Sequence, residues 1–387
     1  VRKDGVERRT AVVHVVTQLE LGGAQRNTLY TASHLDKERF LGSVVAGPGG
    51  VLDQEARELG VPVLFCPSLA RPVNPVRDWA AVGEVKAAIR QLWRKTQGRL
   101  VVHTHSSKAG VVGRWAARQL GAKVVVHTVH GFAFHDGQGW LGRQAYQVVE
   151  RVAAPFTDAM VFVSRRDALT AERLKLVPRD GGHVIRSGID LRGFHPDPGA
   201  RAAVRAELGV GQEVPLLVTV ANFKPQKDPL TGVRAFARVV RARPEAHWLF
   251  VGDGEGRAAL EAQVAAAGLG SRVHLPGWRQ DVPAVLAAAD LFMLCSRHEG
   301  LPRSVVEALA TGVPVAATDA GGTREVVVEG TGRVVPVGDA EALGEAVLAL
   351  LAQPPPVAQV APPLLKEFDI DQMVRRQEDL YEWLLAA

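Results

Sequence analysis

Glu299 and Glu307 stand eight residues apart in the run Ser296-Arg297-His298-Glu299-Gly300-Leu301-Pro302-Arg303-Ser304-Val305-Val306-Glu307. Carboxylates at such positions can accept hydrogen bonds from vicinal hydroxyls, as the acidic residue of a dinucleotide fold does from ribose. The apolar stretch Asp290–Cys295 before them reads as a strand, Gly300 as a loop, Pro302 as the first turn of a helix, Gly312 as its stop and Pro314–Ala317 as the next strand. The amides of Gly300 and Leu301 are then placed to meet a phosphate. Glu299 falls in the loop and Glu307 about two turns into the helix, so the two carboxylates are expected to address different parts of one extended ligand.

A second glycine turn, Gly22-Gly23-Ala24-Gln25, follows the first strand and leads into a helix predicted to begin near Ala24. Paired glycines let backbone N–H groups approach an oxyanion, although a plain tight turn has the same composition. The turn is not a Gly-x-Gly-x-x-Gly fingerprint and no Gly-Lys-Ser/Thr follows it, so it is read neither as a nicotinamide site nor as a phosphate loop. His103, His105, His127, His130 and His135 cluster after two later strands. Without a carboxylate or cysteine at ligand spacing they are read as polar lining of a substrate cleft and no metal is expected. Gly131 beside His130 permits close approach of a ligand to the backbone. Cys66 and Cys295 lie within apolar runs and are expected to be buried free thiols.

These residues need a frame. Short β-branched runs at 11–17, 42–46, 62–66, 100–103, 123–127, 159–163 and 183–185 alternate with helical stretches, and a second series follows at 215–220, 247–251, 273–275, 290–295, 314–317 and 333–335. Each series describes a parallel sheet covered by helices on both faces. The chain is thus α/β, with a first domain over 1–192, a linker through Arg192–Gly199, and a second domain over 200–365. The tract Pro354-Pro355-Pro356 through Pro362-Pro363 is expected not to be helical and to separate that domain from a terminal segment, 366–387, carrying a helix at about 370–385. In such sheets ligands bind beyond the carboxyl ends of the strands, which is where every candidate above falls.

With these elements in place the chain resembles glycosyltransferase family four along essentially its whole length. The resemblance rests on the two glutamates around Glu299-Gly300-Leu301-Pro302, the Gly22-Gly23-Ala24-Gln25 loop, His130, Ile185-Arg186-Ser187-Gly188-Ile189-Asp190, Val251-Gly252-Asp253-Gly254 and Leu275-Pro276-Gly277-Trp278. It implies the GT-B fold, two doubly wound Rossmann-like domains facing a central cleft, with the terminal helix crossing back onto the first. It also implies transfer of a sugar, with retention and without a metal, from a nucleotide sugar held by the second domain to an acceptor held by the first. In this frame Glu307 would hold the donor ribose, Glu299 the hydroxyls of the transferred sugar, and the amides after Gly300 the diphosphate. His130 would lie beside the transferred sugar and the backbone at Trp278 and Arg279 would meet the base. Gly22, Gly23, Gly252 and Pro302 complete the donor-binding set, and His130, Glu299 and Lys227 the catalytic one. One position departs from the family pattern: in Val220-Ala221-Asn222-Phe223-Lys224-Pro225-Gln226-Lys227, Lys227 matches the phosphate-binding lysine but Asn222 stands where an arginine is usual. Lys224 is the alternative source of that charge.

Bulk properties set the outer limits. At 387 residues, 47% apolar and 22% charged, the chain is long enough for two globular cores. The opening residues lack the apolar core of a signal peptide and no run is long enough to span a bilayer, so a cytoplasmic location is expected. The net charge of +5 is unevenly divided, +10 over residues 1–190 and −5 over the remainder. The first half is therefore expected to face something anionic, a membrane surface or a diphosphate-bearing acceptor, with a merely basic solvated surface as the plain alternative. Nucleic acid is not expected, because the basic residues are not interleaved with aromatics. Uracil is the expected base, and a lipid-linked saccharide of bacterial surface polysaccharide assembly the expected acceptor, the latter from the resemblance around 103–117. A nucleotide-sugar epimerase and a catalytically silent sugar-nucleotide binder are the competing readings.

Overall fold

The structure, a computed structural model, describes residues 9–20, 22–96, 98–132, 139–178 and 181–387. The chain forms two compact units, Val1–Gly188 with Ile370–Ala387, and Ile189–Asp369. Unit 1 carries seven strands: β1 (Thr10–Gln18), β2 (Phe40–Gly47), β3 (Val63–Phe65), β4 (Leu100–His105), β5 (Val124–Val129), β6 (Ala159–Phe162) and β7 (Gly182–Val184). They pair in parallel in the order β3-β2-β1-β4-β5-β6-β7. Unit 2 carries β8 (Leu216–Val220), β9 (His247–Val251), β10 (Val273–Gly277), β11 (Leu291–Leu294), β12 (Val315–Thr318) and β13 (Gly332–Val335), parallel in the order β10-β9-β8-β11-β12-β13. In both sheets the order reverses beside the first strand of the unit, the arrangement that opens a crevice at the strands' carboxyl ends. Every strand expected from the β-branched runs is present.

Alternation along β1 shows how unit 1 is built. Ala11, Val13 and Val15 pack with Val85 and Ile89 of helix Pro75–Trp93 and with Ala109 and Ala116 of helix Ser107–Leu120. Val12, on the opposite face, joins Val101, Val126 and Ala159 beneath the terminal helix Ile370–Ala386. That helix buries Met373, Val374, Leu380, Tyr381, Leu384 and Leu385 on one stripe. Each large apolar side chain so buried contributes about 1.5–3 kcal/mol before the entropy of ordering the helix is set against it. Polar ties fix its register: Asp36 N–H donates to Glu378 at 2.6 Å, Tyr30 to Asp371 at 2.5 Å, and Arg39 pairs with Glu378 at 3.0 Å. Gly188 has no side chain to spare here, since a Cβ would lie 2.6 Å from the Ile370 Cα.

The proline tract differs from expectation, because Val357–Leu365 is helical with Pro362 and Pro363 inside it. Pro362 and Pro363 cannot donate to the carbonyls four residues back, those of Ala358 and Gln359, which are both exposed residues, while Val357, Ala361 and Leu365 bury one stripe. Burial of that stripe outweighs two lost helical bonds. Similarly, the Arg192–Gly199 segment is not wholly a linker, since a 3-10 turn occupies Leu191–Gly193 and helix Pro198–Glu207 begins within it, capped by the Asp197 carboxylate. No helix among the described residues is long and apolar enough to cross a membrane.

Candidate functional site

In unit 2 the loops at the carboxyl ends of the strands are locked to one another. Phe223, after β8, donates its N–H to the Asp253 carbonyl and accepts from Gly256. Gly252, after β9, has φ +146, and a Cβ there would sit 1.9 Å from the Ala221 carbonyl oxygen, so only glycine lets the two loops meet. The loop after β11 is backed in the same way by the one after β12: Gly322 N–H donates to the Gly300 carbonyl, and a Cβ on Gly321 (φ +54) would lie 1.7 Å from the Glu299 carbonyl oxygen. Thr318 Oγ1 donates to the Ser296 carbonyl at 2.5 Å. These contacts hold Glu299 in place from the backbone.

The Glu299 side chain is buried and receives two donors on one oxygen, Lys227 Nζ at 2.5 Å and Ser296 Oγ at 2.6 Å, both on Oε1. Oε2 accepts no protein hydrogen bond among the described residues. Lys227 is carried by a short 3-10 turn, Pro225–Lys227, steadied by Gln226, whose amide donates to the His298 carbonyl while its own carbonyl accepts from Arg297 N–H. Asp228 follows in a left-handed conformation (φ +45) and caps helix Pro229–Ala242. The Gly300 and Leu301 amides donate to no protein acceptor among the described residues. An ammonium, a half-engaged carboxylate and two amides thus share one end of the sheet, a set suited to a diphosphate joined to a hydroxyl-rich group.

Other predicted residues fall as follows. Helix Arg303–Ala310 begins one residue later than expected, with Pro302 at its N-cap, so Glu307 is its fifth residue and stands little more than one turn in, not two. Asn222 is partly buried, and its Oδ1 accepts no hydrogen bond among the described residues. The Lys224 ammonium makes no hydrogen bond or ion pair among the described residues. Trp278 is half exposed. The Arg279 side chain gives four of its five N–H groups to Asp281 and Glu207, at 2.6 to 3.0 Å, which raises its pKa. Gly22 caps helix Gly23–His34 in unit 1, at the carboxyl end of β1.

The histidines are more deeply placed than lining would require. His103, His105 and His127 are buried, and burial holds each imidazole well below its ordinary pKa. His103 Nδ1 meets Tyr381 Oη and its Nε2 meets Thr128 Oγ1, both at 2.6 Å, so it secures the terminal helix to β5. His127 and His130 do line a pocket of about 120 Å3, with Ser106, Gly131, Phe132, Tyr146 and Glu150, at the carboxyl ends of β4 and β5. His135 lies outside the described residues. A histidine that the sequence reading passed over, His14, completes the group: its Nδ1 is 3.0 Å from His105 Nε2, and His105 Nδ1 is 3.1 Å from His130 Nε2. Ring nitrogens of His14, His103 and His105 lie within 4.8 Å of one another, a grouping that could hold a metal ion. Both nitrogens of His103 and of His105 are nevertheless already engaged, by hydroxyls and imidazoles respectively. Cys66 and Cys295 are buried free thiols, and burial pushes both up to about 12.

Residues 22–188 match the family described as glycosyl transferase 4-like domain, and residues 200–361 the family glycosyl transferases group 1. The chain is 31% identical to the UDP-Gal:alpha-D-GlcNAc-diphosphoundecaprenol alpha-1,3-galactosyltransferase of Escherichia coli, over 82% of this chain and 81% of that one. It is also 31% identical to the GDP-mannose-dependent monoacylated alpha-(1-6)-phosphatidylinositol monomannoside mannosyltransferase of Corynebacterium glutamicum, over 62% and 63% of the two chains. Among solved structures, Anabaena HepE in complex with UDP-glucose has the same fold, with a TM-score of 0.81 over 96% of this chain and 99% of that one at 22% identity.

Proposed function

The chain belongs to the group 1 glycosyl transferases and is a glycosyltransferase of GT-B fold, and from that premise we propose that it moves a hexose from a UDP-sugar, with retention, to a lipid-linked saccharide. The observation that carries this reading is the Lys227–Glu299 pair beside the Gly300 and Leu301 amides. Lys227 and the amides would take the diphosphate, the remaining oxygen of Glu299 the hydroxyls of the transferred sugar, and Glu307 the ribose. His130 would lie beside the transferred sugar. Charge neutralisation of a departing nucleoside diphosphate by a fixed ammonium and oriented amides is effective because they need no reorganisation when charge develops. The identity of base and acceptor class draws support from the Escherichia coli relative, whose name gives UDP-Gal and a diphosphoundecaprenol-linked sugar. Retention, and independence of a metal, come from the family resemblance.

The acceptor's lipid requires access to a membrane, and we place the protein peripherally on its inner face. Helix Trp140–Ala153 supports this: Trp140 and Leu141 are 70% and 75% exposed, and Leu141, Val148 and Val152 form one exposed stripe. The +10 charge over residues 1–190 adds attraction to anionic lipid.

The deciding experiment offers a panel of UDP- and GDP-sugars with an undecaprenyl-diphosphate saccharide, in EDTA, and follows the product by NMR. Acceptor-dependent transfer from a UDP-hexose with the anomeric configuration kept is expected. Acceptor-independent change of the donor would favour the epimerase reading, absence of turnover the silent binder, and an inverted early product or activity abolished by EDTA would overturn the mechanism.

A further inference from the structure

Three imidazoles run in a line from the interior of unit 1 to His130. His14 Nδ1 meets His105 Nε2 at 3.0 Å, and His105 Nδ1 meets His130 Nε2 at 3.1 Å. At the inner end, the Nε2 of His14 is buried and has no hydrogen-bond partner among the described residues. His14 sits opposite His103 in the β1–β4 register, on the face covered by the terminal helix, and is fully buried.

We propose that this line is a tautomer latch, in which the unpartnered end at His14 fixes His130 with its proton on Nδ1 and its Nε2 as an acceptor. A neutral imidazole has one N–H, and burial keeps His14 and His105 neutral. The unpartnered nitrogen of His14 must be either an N–H or a lone pair. An orphaned buried N–H is the costlier and rarer of the two, so the lone pair stays at Nε2 and the proton at Nδ1. His14 Nδ1–H then donates to His105 Nε2. His105 in turn carries its proton on Nδ1 and donates it to His130 Nε2. His130 is left with Nδ1–H as its one donor, and the nitrogen facing His105 cannot act as a base. The reverse polarity would strand an N–H at the inner end.

The direction of the line follows from these hydrogen bonds alone, whereas its use in transfer rests on the proposed placement of His130 beside the moving sugar. There the latch gives His130 a donor rather than a base at Nδ1, and it makes His105 and His14 positioning residues. Thr128 and Gln377 line, with His105 and His130, a cavity of about 20 Å3, room for a single water beside the line.

The test is long-range 1H–15N NMR of the full chain labelled with 15N-histidine, the His130 signals being assigned by their loss in His130→Gln. The wild-type protein is expected to show His130 as the Nδ1–H tautomer. His105→Leu, which removes the donor, is expected to show mixed His130 tautomers, with kcat lowered about 2- to 10-fold and the donor KM kept, the size of one neutral hydrogen bond. An Nε2–H or mixed His130 in the wild type overturns the latch, and that measurement does not depend on His105→Leu folding. Mixed tautomers in the variant with kcat unchanged overturn its role in transfer, a result distinguishable from failure of the transferase reading, in which the wild type itself would transfer nothing.

Discussion

Glu299 keeps one carboxylate oxygen occupied by Lys227 and Ser296 and, among the described residues, the other open, and under the proposed function the two glutamates have unequal tasks. Glu307→Ala is expected to weaken donor and free UDP alike, since both carry the ribose; a lost charged hydrogen bond of ~1.5–3 kcal/mol corresponds to roughly 10- to 150-fold. Glu299→Ala is expected to leave UDP affinity intact or raise it, because Lys227 is released toward the diphosphate, while kcat and binding of the intact donor fall. Calorimetric titration with both ligands checks this, and equal losses of UDP affinity in the two variants would refute the division. Lys227→Ala is expected to impair UDP binding far more than Lys224→Ala, which loses no hydrogen bond or ion pair among the described residues; comparable large losses would show that Lys224 fills the place left by Asn222. The Glu299-to-Glu307 loop and helix start were legible in the sequence because they form one short motif between two apolar strands. The Lys227–Glu299 bond was not, for it joins loops 72 residues apart. His14 escaped notice for another reason: it is a single polar residue within an apolar strand, and only the β1–β4 register brings it to His103.

Secondary-structure elements and their closing turns carry the next level of control. Gly321 is the clearest instance, with a positive φ and with its missing Cβ directed at the Glu299 carbonyl. Gly321→Ala should displace the Glu299 loop without altering any donor-binding side chain. We expect a lower melting temperature and at least a tenfold rise in donor KM, the latter about 1.4 kcal/mol; unchanged values for both would show that the loop after β12 does not support the one after β11. Strands were legible throughout, since runs of Val, Ile and Leu bounded by turn residues admit few other readings. The helix containing Pro362 and Pro363 was not, because its existence depends on a buried stripe, Val357, Ala361 and Leu365, whose partners lie elsewhere in the chain.

Across the whole molecule, charge and burial produce opposite responses to the medium. His14, His103, His105 and His127 are fully buried, and burial draws His14 down to about 3 and the others well below their ordinary range. Their folded pKa values lie below the unfolded one, so the unfolded chain binds more protons as pH falls under about 6.5, and stability present above that pH is lost on acidification. For His14 alone the slope is about 1.4 kcal/mol per pH unit down to its folded value. Calorimetry is expected to show unit 1 melting earlier at pH 5 than at pH 7, with a shallower dependence in His14→Leu; a transition that ignores pH over that range would contradict it. Vesicles of anionic lipid should bind the protein through the basic first unit, more weakly as salt is added and more weakly again in a Trp140→Ser, Leu141→Ser variant. Co-sedimentation indifferent to salt and to those substitutions would remove the membrane assignment.

The terminal helix has a consequence for biosynthesis. Residues 1–188 leave the ribosome first, yet the face of their sheet formed by Val12, Val101, Val126 and Ala159 stays bare until residue 386 has been made. At about 5–20 residues per second that interval lasts roughly 10–40 s. During it, Ile189–Asp369, which contains all of its own strands, is synthesised in full. The order of completion is therefore the reverse of the order of translation, and the uncovered sheet is the surface that a nascent chain must shield or have shielded for it.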